Sequence, residues 1–320
     1  MSWLEERAGL GAATRSLKAR LSRPLPPGSG GAVLGSAAIF FLVVQAASGA
    51  LLSIYYTPSW IEAHASVVRI TKDVTFGWLV RSVHLWSAHL LVATAALHLV
   101  RTFARGSYSK PREVTWFTGV ALLGLLMAAA FTGQMLPMDD EAVKGAEIGA
   151  AYANEAGMGD VVRGGATVAG PTLTRMFSTH VLWVPAGLAL LVVAHLALVG
   201  RHRLHGAEAV QGESPVFLKR LGLTVIGAAG VLATLAFAFP AGIGPAPNAA
   251  EAGAAAKPLW MFLPVYQAAK HVSGPATLLL LLGPMAFLIA VPFLPRRLAV
   301  GLGLLMLAGA IALGIMGAMA

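Results

Sequence analysis

Long apolar runs alternate along this chain with polar connections, and the runs are longer than the core helices of a soluble domain. Seven of them, over residues 33–56, 77–103, 116–136, 177–200, 221–239, 275–293 and 298–319, each supply the roughly 20 apolar residues that cross a hydrocarbon core about 30 Å thick. The pattern predicts an all-α membrane protein of seven transmembrane helices. Basic residues cluster at the N-terminus (Arg7, Arg15, Lys18, Arg20, Arg23), after the second run (Arg101, Arg105, Lys110, Arg112), after the fourth (Arg201, His202, Arg203, His205) and after the sixth (Arg296, Arg297). These positions share one side of a seven-span chain. The positive-inside rule makes that side cytoplasmic, the n side, with the N-terminus there and the C-terminus on the opposite, p side. Residues 1–30 interleave Trp3, Leu4, Leu10, Leu17 and Leu21 with the basic residues and end at Pro24, Pro26 and Pro27, which suits an amphipathic helix lying on the n surface. They lack an apolar core followed by a small-residue cleavage site, so no cleavable signal peptide is expected. A polar connection with both charge signs fills 137–175, and an Ala/Gly/Pro-rich p-side loop fills 240–273.

Polar residues inside the apolar runs carry the chemistry. His84 and His98 are 14 residues apart in the second run, four helical turns less about 40°, so both imidazoles share a face and stand roughly 21 Å apart along the axis. His180 and His195, 15 apart in the fourth run, repeat the arrangement. The second and fourth helices run in the same direction. His84 and His180 therefore meet near the p surface, and His98 and His195 near the n surface. Two stacked bis-imidazole sites are the geometry that holds two haems and carries electrons across a membrane. His89, about 140° round the helix from His84, has no counterpart at its depth and reads as a packing or quinone-lining residue.

Glycines repeat the spacing. Gly35 and Gly49 in the first run, and Gly119 and Gly133 in the third, are each 14 apart, a spacing that suits a flat macrocycle approaching a backbone at two depths, with ordinary small-residue helix packing as the alternative. Arg81, Arg101 and Arg175 lie three, three and five residues from His84, His98 and His180, placed to pair with haem propionates; an interfacial topology role is the alternative for Arg101 and Arg175, and Arg81, on the p side, fits it least. Composition narrows the chemistry. The chain is 57% hydrophobic and 12% charged, too apolar for a soluble protein. Its formal charge of +9 follows loop topology and does not point to nucleic acid. It has no cysteine, which excludes disulfides, cysteine-held iron–sulfur clusters and thioether-linked haem.

The stretches GWLVRSVHLWSA, SKPREVTWFTGV, TLTRMFSTH, WLEER and QAASGALLSIYYTPS, with the unequal histidine spacings, resemble the cytochrome b family of Rieske/cytochrome b (bc and b6f-type) complexes. The b6 branch, fused to a subunit IV-like part, is the nearer likeness. The resemblance covers residues 1 to about 205 and continues more weakly through KPLWMFLPVYQAAK. It implies a four-helix bundle over 31–205 holding two non-covalent b haems, with a three-helix region over 206–320. It further implies quinol oxidation near the p face, quinone reduction near the n face, and partnership with a Rieske iron–sulfur protein and a c-type cytochrome. A homodimeric complex in a bacterial inner membrane is expected. Arg201, His202, Arg203 and His205 are candidates for binding or protonating quinone at the n side.

Departures from the family pattern fall on the p-side quinol pocket. The family's Pro-Glu-Trp-Tyr reads here as Pro258, Leu259, Trp260 and Met261, and its Gly-Tyr-x-Leu-Pro-Trp as Gly133, Gln134, Met135, Leu136, Pro137 and Met138. The proton-accepting glutamate and the lining aromatics are gone. Pro258, Trp260, Gln134 and Asp139 remain as pocket candidates, with Asp140, Glu141 or Glu251 as further proton acceptors. Val33 stands where the b6 branch tethers an additional haem through cysteine. Three readings stay open: a quinol:cytochrome c or plastocyanin-type oxidoreductase subunit, a dihaem subunit of a modified complex with a degenerate p-side site, and a non-redox bundle. The four histidines argue against the last.

Overall fold

The computed structural model describes residues 30–202, 214–247 and 258–319. The amphipathic segment expected before residue 30, and Arg203, His205 and Glu251, lie outside the described residues. Among those described, every regular element is helical, and seven helices are long and apolar enough to cross a membrane. The spans are α1 (Gly30–Tyr55), α3 (Gly77–Ala104), α4 (Glu113–Gln134), the continuous pair α7 (Gly170–Ser178) and α8 (Val184–His202), α9 (Ser214–Ala238), α11 (Pro275–Ala290) and α12 (Arg296–Met319). Shorter helices lie between them: α2 (Ala63–Lys72), α5 (Asp140–Glu155), α6 (Gly159–Arg163) and α10 (Leu263–Ala269). In a bilayer every backbone polar group must be satisfied internally, so apolar runs of this length have the helix as their only open-ended solution.

The polar connection over 137–175 folds into helices. Asp139 caps α5 by accepting a hydrogen bond from the Ala142 amide at 2.9 Å. Ala142, Ala146 and Ala150 then form a buried stripe one turn apart. The fourth span begins seven residues before its apolar run, at Gly170, because Pro171 occupies the first turn, where its missing N–H costs nothing. Tyr56 closes this end of α1. Burial holds its phenol pKa well above the ordinary range, and it donates to the Leu136 carbonyl at 2.7 Å.

Helix α1 packs along α3, α4 along α8, α9 against both α1 and α3, α11 against α4 and α5, and α10 against α12. Phe41, Leu91, Leu126, Val184, Leu188 and Leu232 form a buried apolar cluster. Leu91 falls between His84 and His98, and Leu126 lies midway between Gly119 and Gly133. The cluster is thus a plug separating two levels of the bundle. One end of the bundle carries Arg101, Arg112, Arg201 and Arg296, and the other carries α2, α5, α6 and α10.

A strap over residues 239–247 ties the C-terminal helices to this second end through its main chain. Trp86 Nε1 donates to the Phe239 carbonyl at 2.7 Å, Arg81 Nη2 to the Gly242 carbonyl at 2.9 Å, and the Asp140 amide to the Pro245 carbonyl at 3.1 Å. The His64 ring bonds the Gly244 carbonyl at 2.9 Å, and the Ala241 amide donates to Ser82 Oγ at 3.0 Å.

Candidate functional site

The four histidines project from α3 and from the α7–α8 span into two levels. At the strap end, His84 and His180 face one another with ring centroids 6.2 Å apart and planes at 78°. A metal–imidazole bond of about 2.0–2.1 Å, plus roughly 1 Å from nitrogen to ring centre, puts two imidazoles on opposite sides of one metal roughly 6 Å apart. At the basic end, His98 and His195 lie close enough to interact electrostatically, with the Arg101 charge alongside.

The unequal spacing has a structural cause. His180 sits in a π-helical turn, Thr179–Trp183, in which the Val184 amide reaches back five residues to the Thr179 carbonyl. Pro185 supplies no N–H to the next rung, a recognised origin of such a break. A π-turn inserts one residue into an α-helix. Fifteen residues between His180 and His195 therefore cover the register that 14 cover in α3.

Each histidine faces a glycine on the neighbouring helix. A Cβ on Gly133 would lie 2.5 Å from His180 Cε1, one on Gly49 3.1 Å from His84, one on Gly119 3.3 Å from His195 and one on Gly35 3.9 Å from His98. The four glycines singled out by spacing are thus the four that clear the imidazoles.

Hydrogen bonds fix the ring tautomers. His180 Nδ1 lies 3.0 Å from the Ala129 carbonyl, and a carbonyl only accepts, so Nδ1 carries the proton. Ser48 gives its one hydroxyl proton to the Val44 carbonyl at 2.6 Å, so at 2.9 Å from His84 Nδ1 its oxygen accepts. Thr118 likewise donates to the Thr115 carbonyl at 2.9 Å and accepts from His195 Nδ1 at 2.9 Å. Three rings therefore present a bare Nε2 lone pair, the atom that ligates a metal. His98 Nδ1 is buried with no hydrogen-bond partner among the described residues. Sequence reasoning missed these anchors. Their signal was present as the dipeptides Ser48-Gly49, Thr118-Gly119 and Thr132-Gly133, a hydroxyl immediately before three of the four clearing glycines.

Among the described residues no cluster of three or more His, Cys, Asp or Glu has the arrangement to hold a metal ion. A bare ion would lack its usual shell. A metal that brings four equatorial ligands of its own needs only two axial imidazoles, and the residues present fit haem in that respect.

The arginines divide. Arg81 bonds Thr71 Oγ1 at 2.5 Å and the strap carbonyl of Gly242 at 2.9 Å. Arg101 is half-buried beside the His98/His195 level, and Arg175 lies in α7 against Gly164. Arg201 is exposed at the end of α8, which also contains His202.

The p-side candidates are not brought to one point. Asp139 is engaged as the α5 cap and lies against Gly244 of the strap. Pro258 is half-buried. Trp260 donates from Nε1 to His89 Nδ1 at 2.9 Å. Phe262, two residues on, meets Phe131 of α4 edge to face at 6.2 Å, three residues before Gln134.

A helical membrane bundle that places four imidazoles at two levels, each opposite a clearing glycine, has the features of a membrane cytochrome. The Cytochrome b/b6/petB family model matches residues 30–203. The chain is 35% identical over 285 residues to the cytochrome bc complex cytochrome b subunit of Chlorobaculum thiosulfatiphilum, covering 82% of this chain and 66% of that one. It is 35% identical to cytochrome b6 of Synechococcus sp. (strain RCC307), over 54% of this chain and 82% of that protein. Cytochrome b6 of Emiliania huxleyi gives 35% identity over 54% of this chain and 83% of that one. In fold the chain is similar to a hyperthermophilic respiratory Complex III, with a TM-score of 0.84 at 22% identity, over 99% of this chain and 91% of that one. The chain belongs to the cytochrome b/b6 family and is an integral membrane protein.

Proposed function

We propose that this chain is the electron-carrying cytochrome b subunit of a bc/b6f-type quinol:cytochrome c oxidoreductase. It holds two b haems non-covalently, one between His84 and His180 and one between His98 and His195. The observation that carries the reading is the facing His84 and His180 rings, with a clearing glycine opposite each of the four imidazoles and Nδ1 anchored on three of the four rings. Haem, when bound, supplies one-electron redox chemistry at each level. The protein would supply the Nε2 atoms of His84, His180, His98 and His195, the glycine clearance, the apolar plug between levels, and Arg101 and Arg175 as propionate partners. Arg81 joins that set if a propionate displaces a strap carbonyl.

The basic end is read as the n side, in the cytoplasm of a bacterium, with the N-terminus there. Arg201 and His202 bind quinone at that face. The strap end is the p side, where a Rieske iron–sulfur protein and a c-type cytochrome dock on a homodimeric complex. Residues 31–205 form the dihaem bundle and 206–320 the subunit IV-like region. A specific observation favours the modified-complex reading for the p-side pocket. Leu259 cannot take a proton, Gln134 only hydrogen-bonds at neutral pH, and Asp139 is committed to its helix cap. Potentiometric titration of the purified complex tests the reading. Two b-type transitions with distinct midpoints are expected, and a chain carrying no haem overturns it.

A further inference from the structure

His89 is polar, lies within an apolar span and stands outside both imidazole pairs. It is five residues past His84 and nine before His98, which puts it between the two levels, well inside the hydrocarbon. A polar side chain there needs a partner, or it marks a ligand site.

Its Nδ1 receives the Trp260 indole N–H at 2.9 Å. Indole only donates, so Nδ1 is the acceptor and, in the neutral ring, Nε2 carries the proton. That Nε2–H has no partner among the described residues. The surroundings are aromatic. The Trp86 ring centre is 5.5 Å from that of His89 and 6.2 Å from that of Phe239. Trp260 is 47% exposed, so the niche opens toward lipid. An aromatic-walled opening with one fixed N–H donor selects a flat, apolar ring bearing a carbonyl acceptor. Lipid ester carbonyls lie at the headgroup boundary, outside both imidazole levels, which leaves a membrane-dissolved quinone.

We propose that His89 Nε2 donates a hydrogen bond to a quinone carbonyl in a lipid-facing site between α3 and the 258–262 turn, with Trp260 as the positioning residue that sets the tautomer. The inference rests on the quinone chemistry proposed above and deepens it. In a chain whose Pro-Leu-Trp-Met segment has lost its titrating side chain, this segment keeps the indole and uses it to aim a histidine.

The test uses the haem-replete complex in lipid nanodiscs, titrated with a decyl-substituted benzoquinone and a naphthoquinone of equal chain length. His89→Leu should weaken binding of the preferred quinone about tenfold, the loss of one hydrogen bond. His89→Gln, which keeps a donor, should retain affinity within about threefold. Isotope-edited infrared spectra should show a lowered carbonyl stretch in the parent and His89→Gln complexes, and an unshifted one in His89→Leu. Equal affinity in parent and His89→Leu, equal losses in both variants, or a carbonyl stretch indifferent to residue 89 each overturns the assignment. If the parent complex lacks haem, the functional reading fails instead, and the haem spectrum recorded beforehand separates the two cases.

Discussion

Replacing each clearing glycine by alanine should cost haem in the order in which the structure crowds the imidazole. At Gly133 the added methyl would stand 2.5 Å from His180 Cε1 and 3.0 Å from Nδ1. The ring has little room to retreat, because Nδ1 is held by the Ala129 carbonyl at 3.0 Å and lies 3.3 Å from Thr132 Oγ1. Overpacking of this kind costs about 1–3 kcal/mol, which corresponds to roughly a 5- to 150-fold loss of affinity. Gly49→Ala, at 3.1 Å, and Gly119→Ala, at 3.3 Å, should fall lower in that range, and Gly35→Ala, at 3.9 Å, should be near neutral. Haem per chain from pyridine haemochrome spectra, with a redox titration to show which transition is lost, reads the series directly. Gly133→Ala and Gly49→Ala should deplete the His84/His180 haem and spare the other. Loss of the His98/His195 haem in Gly133→Ala, or four equal effects, would refute the claim that these glycines exist to clear the ligands.

Other outcomes follow from the same geometry. His98→Leu should abolish one b-type transition and leave the His84/His180 transition, so a spectrum that keeps both rejects the pairing. Thr118→Val removes the acceptor for His195 Nδ1 at nearly constant volume. It should weaken haem at that level by about 10- to 100-fold, the usual cost of losing a ligand's supporting hydrogen bond, and shift its midpoint potential, while Ser at this position rescues both. Leu259→Glu with Gln134→Tyr should speed quinol-driven reduction of the His84/His180 haem in the assembled complex. An unchanged rate would mean that another group already accepts the proton.

What was legible in the sequence divides along physical lines. A hydrocarbon environment forces the same composition on every span, so all seven were readable, with ends off by a few residues where Glu113 or Pro171 extended a helix into polar surroundings. The placement of the histidines at two levels was readable because helical periodicity turns spacings of 14 and 15 into a shared face at two depths. The π-turn was not. The spacing of 15 showed that something differed, but Pro185 in an apolar run is as compatible with a plain kink. The Ala142, Ala146 and Ala150 stripe was hidden because alanine carries little hydrophobic contrast against the polar residues round it. The Trp260–His89 bond joins residues 171 apart, and no local pattern reaches that far.

The strap has a consequence for how this protein tolerates change. Phe239, Gly242, Gly244 and Pro245 contribute carbonyl oxygens to the seam, and Ala241 an amide; none of these bonds uses a strap side chain. Specificity resides on the other bank, in the side chains of His64, Arg81, Ser82 and Trp86. Substitutions can accumulate on the strap without breaking these hydrogen bonds, except at Gly244, where a side chain would collide with Asp139, and wherever proline would remove the Ala241 donor; Phe239 alone adds a ring contact, to Trp86. Over evolutionary time the two banks should drift at unequal speeds. The C-terminal helices stay moored to the bundle through lettering that selection scarcely inspects.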